Sequence, residues 1–465
     1  MAQKQQYNKW IILSAVVIGS IMGPIDGSVV NLAMPEFTKI FHTNITTVSW
    51  VSMIYLLVVS SLMMTFGRLG DILGYKKLYE YGLLTFSISS LILSFSVNIH
   101  MLIIMRAIQA VGAAMLMSMS SAIITSVFPP NERGKALGIN AMSISIGLAI
   151  GPTLGGFLLK YLGWPSIFYI NVPIGVIGYI WAHTVVPENK GVPEKFDPYG
   201  STYFFMFLAS LLLFISEGGT WGWYSVPSIF SFAAFLVFLI LFIRTENKVE
   251  FPMFDFSLFK IRSFTFGITS TLLNFMAQYT MTFLTPFLLK HLGYSTEKAG
   301  IIMTSFPAMM FIVAPLSGIL ADMYGAQILS TFGALISALA LFLMATLTEK
   351  SSMFDIMWRL AIFGIGNAIF QTPNNSAVMG SAPKNRLGIA SASLATMRNV
   401  GMVIGIAVAG AIFTNRLKAY QAFNLPYNNS FMRAIKEAYI VAGIFSVICA
   451  FTSLVRDNIK IQRKD

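Results

Sequence analysis

Asp26, Arg106, Glu217, Arg359 and Arg398 are ionisable side chains set in long apolar stretches, and they are where this sequence can do chemistry. A charge at the centre of a bilayer costs roughly 3 kcal/mol on insertion scales, so such a group is usually functional. Asp26 follows Gly23-Pro24 in mid-stretch. One reading is structural, a carboxylate hydrogen-bonded at a helix kink. The other is a proton carrier. A carboxyl group held away from water favours its neutral form, and a nearby cation favours the ionised one. Competition between the two would couple proton entry to the exit of a cationic cargo. Glu217 closes its stretch just before Gly218-Gly219-Thr220-Trp221, where solvent exposure and a cation-binding or release role fit equally. Arg106, one to two turns into its stretch, could snorkel to the outer interface. Arg398 lies deeper and calls for an acidic or carbonyl partner, whereas Arg359 near a stretch end suits an interface.

Other chemistries lack their residues. His42, His100, His183 and His291 are far apart and have no ligand partner at helical spacing, so no zinc site is expected. The single cysteine, Cys449, excludes an intrachain disulfide. No nucleophile–base pair or cofactor loop stands out, so neither an enzyme nor a bound cofactor is expected. The net charge of +12 has no basic run interleaved with aromatics, so nucleic acid is not the expected partner.

The elements that must position these residues follow from composition. Of 465 residues, 56% are hydrophobic and 11% charged, well under the roughly 25% charged of soluble chains. The apolar residues fall in blocks of roughly 20, the length that crosses a bilayer as a helix. Fourteen spans are expected: 10–33, 47–66, 78–97, 101–126, 136–159, 165–186, 199–217, 226–243, 264–289, 298–320, 327–347, 354–378, 387–413 and 434–455. The first is read as a retained helix rather than a signal peptide. Loops on the side of the termini hold about twice as many Lys and Arg as the opposite loops, which places both termini in the cytoplasm. The connection 415–433 runs against this, with Arg416, Lys418 and Arg433 outside.

Polar linkers at 187–198 and 244–263 bracket the pair 199–217 and 226–243. The expected organisation is a six-helix bundle over 1–190, an inserted pair over 191–262 and a second six-helix bundle over 263–465. The two sixes repeat each other. Gly67-Arg68-Leu-Gly70-Asp71-Ile-Leu-Gly74, followed by Lys76 and Lys77, recurs as Gly318-Ile-Leu-Ala-Asp322-Met-Tyr-Gly325. Arg106 recurs as Arg359, and Gly147-x-x-x-Gly151 as Gly401-x-x-x-Gly405, all at nearly one offset. Duplicated halves with a site between them mark secondary transporters. Asp71 could hold a helix N-terminus or pair with a basic residue to latch one state. The fifth span reads Gly147-x-x-x-Gly151-Pro152-x-x-Gly155-Gly156, a flat face for close helix packing with a proline kink.

On these motifs the chain resembles the major facilitator superfamily, and within it the fourteen-span drug:proton antiporters. The motifs are Asp26-Gly-Ser-Val-Val-Asn31, Gly67 to Lys77, Arg106-x-x-Gln109-x-x-Gly112, Gly147 to Gly156, Ile167 to Gly175, and Arg398-Asn399-Val-Gly401. Ala110, Pro165 and the missing basic tail after Gly325 depart from the usual pattern. The resemblance implies a monomeric multi-pass protein of the cytoplasmic membrane, driven by the proton gradient with no cofactor. Its partners would be protons, small-molecule substrates and membrane lipids. It implies proton coupling through Asp26, Arg106 and Glu217, and gating by Gly67, Arg68, Asp71, Gly74, Lys76, Lys77 and Asp322. Asn31, Trp50, Tyr55, Gln109, Gln278, Tyr279, Phe370 and Arg398 would line the substrate cavity, where Met and aromatic residues suit apolar cations. The expected activity is export of lipophilic, often cationic drugs. Export of an endogenous solute such as a lipid, peptide or amino acid is the alternative.

Overall fold

The computed structural model describes residues 8–189, 198–249, 256–383 and 386–455. The described residues are helical and contain no strand. The helices are α1 (Lys9–Ile40), α2 (Ile45–Leu73), α3 (Tyr75–Leu93), α4 (Ile99–Val127), α5 (Pro130–Tyr161), α6 (Ser166–Tyr169), α7 (Asn171–Val185), α8 (Pro198–Trp221), α9 (Val226–Glu246), α10 (Arg262–His291), α11 (Thr296–Tyr324), α12 (Ala326–Met344), α13 (Met353–Ser381), α14 (Leu387–Ala422) and α15 (Tyr427–Leu454). Most of both polar linkers' central residues, 190–197 and 250–255, lie outside the described residues.

Local chemistry explains the helix starts. Asn44 accepts from Thr47 N at 2.7 Å and Asn98 from Met101 N at 2.8 Å, each satisfying an amide that the first turn leaves unpaired. Ser352 and Asp355 form a reciprocal capping box that opens α13. The sixth expected span is broken at Ile170. Pro173 has no amide hydrogen for the carbonyl four residues back, and α6 gives way to α7 there.

Twelve of these stretches are long and apolar enough to cross a membrane, with α6 and α7 counted as one. α3 and α10 fall outside that set. Lys76, Lys77 and Glu80 sit within the 19 residues of α3, and α10 carries Asn274, Gln278 and several threonines. Both nonetheless pack inside the bundle, α3 on α4 and α7, α10 on α14, α15 and α13. One expected loop is corrected. α14 runs on to Ala422 and α15 begins at Tyr427, so the connection is a short turn rather than 415–433. Arg416 and Tyr420 both bond Glu437, which carries the two helices past their apolar stretches.

α1 packs on α5, α7 and α4, and α4 on α2 and α3. In the second half α13 packs on α11 and α12, and α15 on α12, α10 and α14. α8 and α9 pair with each other, and α8 touches both α2 and α14. The halves meet through α5 with α11 and α2 with α14. Hydrogen bonds and ion pairs join them at one end: Thr46 with Thr414 (3.1 Å), Thr153 with Thr304 (2.7 Å), Glu36 with Lys290, and Lys160 with Glu297.

Candidate functional site

Asp26 and Arg106 form an ion pair with each side chain about 1% exposed. α1 supplies the carboxylate and α4 the guanidinium. Asp26 Oδ1 also accepts from Gln109 Nε2 at 3.0 Å and Asn171 Nδ2 at 2.9 Å. Arg106 donates further to Gln109 Oε1 at 2.6 Å and to the Val51 carbonyl at 3.2 Å. Its guanidinium carbon lies 4.2 Å from the centre of the Tyr55 ring, in cation–π range. Gln109 Nε2 donates to Ser90 Oγ at 2.8 Å. Arg106 is thus held deep in the bundle rather than at an interface. Such a pair is costly to desolvate, and removing one partner leaves a buried charge worth about 3–5 kcal/mol.

Asn171 and Ser90 complete this network, and neither was among the residues expected to act. Asn171 stands directly after the break at Ile170, so the interrupted helix points its first side chain at Asp26. Its signal in the sequence is a lone asparagine beside Pro173 in an apolar stretch.

Tyr55 links this group to the second half. Its hydroxyl is buried and has no hydrogen-bond partner among the described residues. It lies within electrostatic reach of Asp26, Arg106 and Tyr279, and Tyr279 lies within reach of Arg398. Arg398 is half-buried, and its Nε has no partner among the described residues. The acidic or carbonyl partner expected for it is not found among the described residues. Arg359 instead pairs with Asp355 one turn back, at 3.1 Å, and stacks on Trp358.

α10 and α13 share a cluster of amides. Gln371 Nε2 lies 3.0 Å from Gln278 Oε1, 3.2 Å from Asn367 Oδ1 and 3.3 Å from Asn274 Oδ1. Asn374 Nδ2 donates to Thr271 Oγ1 at 2.8 Å. Only Gln278 of this group was expected in the cavity. Asn367, Gln371 and Asn374 follow the i, i+4, i+7 spacing of one helix face, a signal legible in the sequence.

Other expected positions are placed elsewhere. Asn31 accepts from Ser52 Oγ at 2.9 Å inside the first half. Trp50 Nε1 donates to Glu217 Oε1 at 3.4 Å, and Thr220 Oγ1 to Glu217 Oε2 at 2.9 Å. Phe370 is fully buried with Ala334 and Cys449, between α13, α12 and α15. It faces away from the amide cluster.

The glycine face of α5 is built between two helices. A Cβ at Gly147 would lie 2.9 Å from Ile21 Cγ1, at Gly151 2.5 Å from Ser28 Cβ, and at Gly155 3.0 Å from Val29 Cγ1, all on α1. A Cβ at Gly156 would lie 2.7 Å from the Thr296 carbonyl oxygen of α11. Pro152 turns its carbonyl onto Gly300 of α11.

At the opposite end, Gly74 caps α2 with φ +95°, a backbone region that suits glycine, and Gly325 repeats it after α11 at +91°. Tyr75 N donates to Asn189 Oδ1 at 2.8 Å, and Lys76 Nζ to the His183 carbonyl at 2.8 Å. Asp71 accepts from Tyr75 OH at 2.7 Å. Gly67 lies against Ser118, and Lys77 is exposed. Arg68 lies on α2, five residues before its end. The Asp322 side chain lies outside the described residues.

The sequence model described as "Major Facilitator Superfamily" matches residues 16–406. The chain belongs to this superfamily. It is a transporter rather than an enzyme. It is 36% identical over 442 residues to "Riboflavin transporter RibZ" of Clostridioides difficile (strain 630), covering 94% of each chain. It is 31% identical over 412 residues to "Multidrug resistance protein Stp" of Mycobacterium tuberculosis (strain CDC 1551 / Oshkosh), covering 88% of this chain and 76% of that one. Among solved structures, a bacterial homologue of the human lysosomal transporter Spinster superposes with a TM-score of 0.71 at 15% identity, covering 97% of both chains. At that identity the likeness concerns the fold.

Proposed function

We propose that this superfamily member is a proton-driven exporter of organic compounds, working by alternating access in the cytoplasmic membrane with both termini inside. The observation that carries the reading is the buried carboxylate of Asp26, paired with Arg106 and hydrogen-bonded by Gln109 and Asn171. A proton arriving at Asp26 Oδ2 would cancel the ion pair and release the guanidinium. Loss of that proton would restore it. Two packings of the same helices would then differ by the strength of one buried contact, which is what a two-state transporter needs.

With the termini inside, the end at which the halves are joined faces outward. The described state is then closed to the outside. The glycine face of α5 lets α1 and α11 approach this closely, and the amides, Tyr279 and Arg398 are the groups that a cargo between the halves would meet.

Two cargo readings follow from the relatives' names. Similarity to a multidrug resistance protein supports lipophilic drugs, often cationic. Similarity to a riboflavin transporter, over a larger share of both chains, supports an endogenous solute.

The test is a proteoliposome assay with an imposed pH gradient. Wild-type protein is expected to move riboflavin or a cationic dye faster when the gradient is present. Asp26→Asn is expected to lose that dependence while still exchanging cargo without a gradient. Full gradient-driven transport by Asp26→Asn removes the claim.

A further inference from the structure

Asp26 and Arg106 are buried in the first half and Arg398 is half-buried in the second, while Glu217 is held by Trp50 and Thr220. The Asp26 carboxylate is already spent. Asp26 receives Arg106 on one oxygen and both Gln109 and Asn171 on the other, and it is 1% exposed. Both carboxylate oxygens are therefore engaged within the first half. Arg398 is the reverse case. It is half-buried, has no acidic or hydrogen-bond partner among the described residues, and leaves its Nε buried and unsatisfied. A guanidinium offers five donors in a flat fork. Such a group recognises carbonyls, ring nitrogens or anions, and repels cations.

The neighbouring groups point the same way. Gln371 Nε2 has two hydrogens for three amide oxygens within 3.3 Å, those of Gln278, Asn367 and Asn274. At least one of those oxygens must share or go without. No described residue donates to Gln371 Oε1. An amide group left in this condition can exchange its internal bonds for those of an arriving amide or imide edge. Tyr279, half-buried next to Gln278 on α10, adds an aromatic face on which a flat ring can stack.

We propose that this interior site takes a planar, polar heteroaromatic compound, uncharged or anionic, whose carbonyl or ring-nitrogen acceptors bond Arg398 while its amide-like edge meets the Gln278–Gln371 pair. The proposal rests on the transport reading above and names the cargo class for the same site. It excludes lipophilic cations as the preferred cargo.

The test is equilibrium binding to the full chain in lipid nanodiscs. The probes are riboflavin, flavin mononucleotide, ethidium and tetraphenylphosphonium, with flavin fluorescence quenching as readout. Riboflavin or the mononucleotide is expected to quench saturably, and neither cation is expected to displace it at equal concentration. Arg398→Gln is expected to weaken flavin binding by about tenfold or more, with Arg398→Lys weaker by only a few-fold. Gln371→Ala, a second variant that leaves the guanidinium in place, is expected to weaken flavin binding by roughly fivefold. Thermal melting of each variant separates lost binding from lost folding. The proposal is overturned if either cation binds more tightly than both flavins, if neither flavin binds saturably, or if folded Gln371→Ala and Arg398→Lys and Arg398→Gln all bind like wild type. Binding does not require a proton gradient. Intact flavin binding without gradient-driven movement would therefore sink the transport reading and leave the cargo assignment standing.

Discussion

Gly156 sits where the two halves touch, so enlarging it perturbs one conformation more than the other. A Cβ there would lie 2.7 Å from the Thr296 carbonyl oxygen and 3.0 Å from Glu297 Cα. Both are backbone atoms of α11, which cannot rotate aside as a side chain can. Carbon–oxygen contacts run from roughly 3.3 Å upward, so Gly156→Ala requires α5 and α11 to separate by about half an ångström. Overpacking of that kind costs about 1–3 kcal/mol. The cost falls only on the state in which this end is closed. Its population relative to the opposite state should drop by roughly 5- to 150-fold. Gly147→Ala is the control. Its Cβ would lie 2.9 Å from Ile21 Cγ1 and 3.2 Å from the Ile21 carbonyl on α1, within the first half. It strains both states alike. The assay is disulfide formation between Lys160→Cys and Glu297→Cys, whose parent side chains form an ion pair across this end. The native Cys449 is buried and does not compete. Gly156→Ala should slow cross-linking strongly and Gly147→Ala should not. Equal rates in the two, with equal losses of thermal stability, would refute the claim that the glycine face sets the balance between states.

Two further outcomes follow from the same structure. Asp26→Asn and Arg106→Gln should each destabilise the protein by about 3 kcal/mol, and the double variant by clearly less than the sum, because one change orphans the charge that the other removes; denaturant titrations of the four proteins measure the coupling, and additivity would mean that the pair is not the unit described. His291, at the end of α10, stacks on Phe431 with ring centres 3.9 Å apart, and burial holds its pKa below the ordinary histidine value. Its contribution to stability is therefore complete above the ordinary pKa and is lost as pH falls through the lowered one. Melting temperature should drop between pH 7 and pH 5 by more in the native chain than in His291→Phe, and equal drops would show that another group titrates.

The charged part of the site was legible because an apolar stretch tolerates few ionisable groups. Asp26 and Arg106 stood out on that ground alone, and the structure brings them together from helices 80 residues apart. Ser90 did not stand out. Ser87 and Ser89 bond their own helix backbone, as serines in apolar helices commonly do, and nothing in the sequence separates Ser90 from them. Phe370 illustrates the limit of reading single positions. One residue along a helix turns the side chain by about 100°, so Gln371 joins the amides while Phe370 packs against Ala334 and Cys449. The 415–433 connection was misread because basic residues marked a loop. Glu437, which partners Arg416 and Tyr420 across the turn, becomes a neighbour only once both helices are built.

The two halves repeat their geometry without repeating their chemistry. Gly74 and Gly325 turn the chain alike at +95° and +91°. Gly401 and Gly405 press on the α10 backbone at Leu272 and Met276 as Gly147 and Gly151 press on α1. The offset of 251 that relates Gly74 to Gly325 sets Asp26 of α1 on Ala277 of α10, one residue before Gln278. The carboxylate of the first half has no counterpart in the second, whose amides stand at neighbouring positions. The arginines diverge in the same sense. Arg106 is buried against Asp26, whereas Arg359 pairs with Asp355 on its own helix, near the surface. A carboxylate can take up and release a proton in the physiological range, and an amide cannot. An amide offers a donor and an acceptor whose pairing is independent of pH. Under the proposed function, proton coupling would belong to the first half and selection of a neutral or anionic cargo to the second, where Gln278, Gln371 and Arg398 lie.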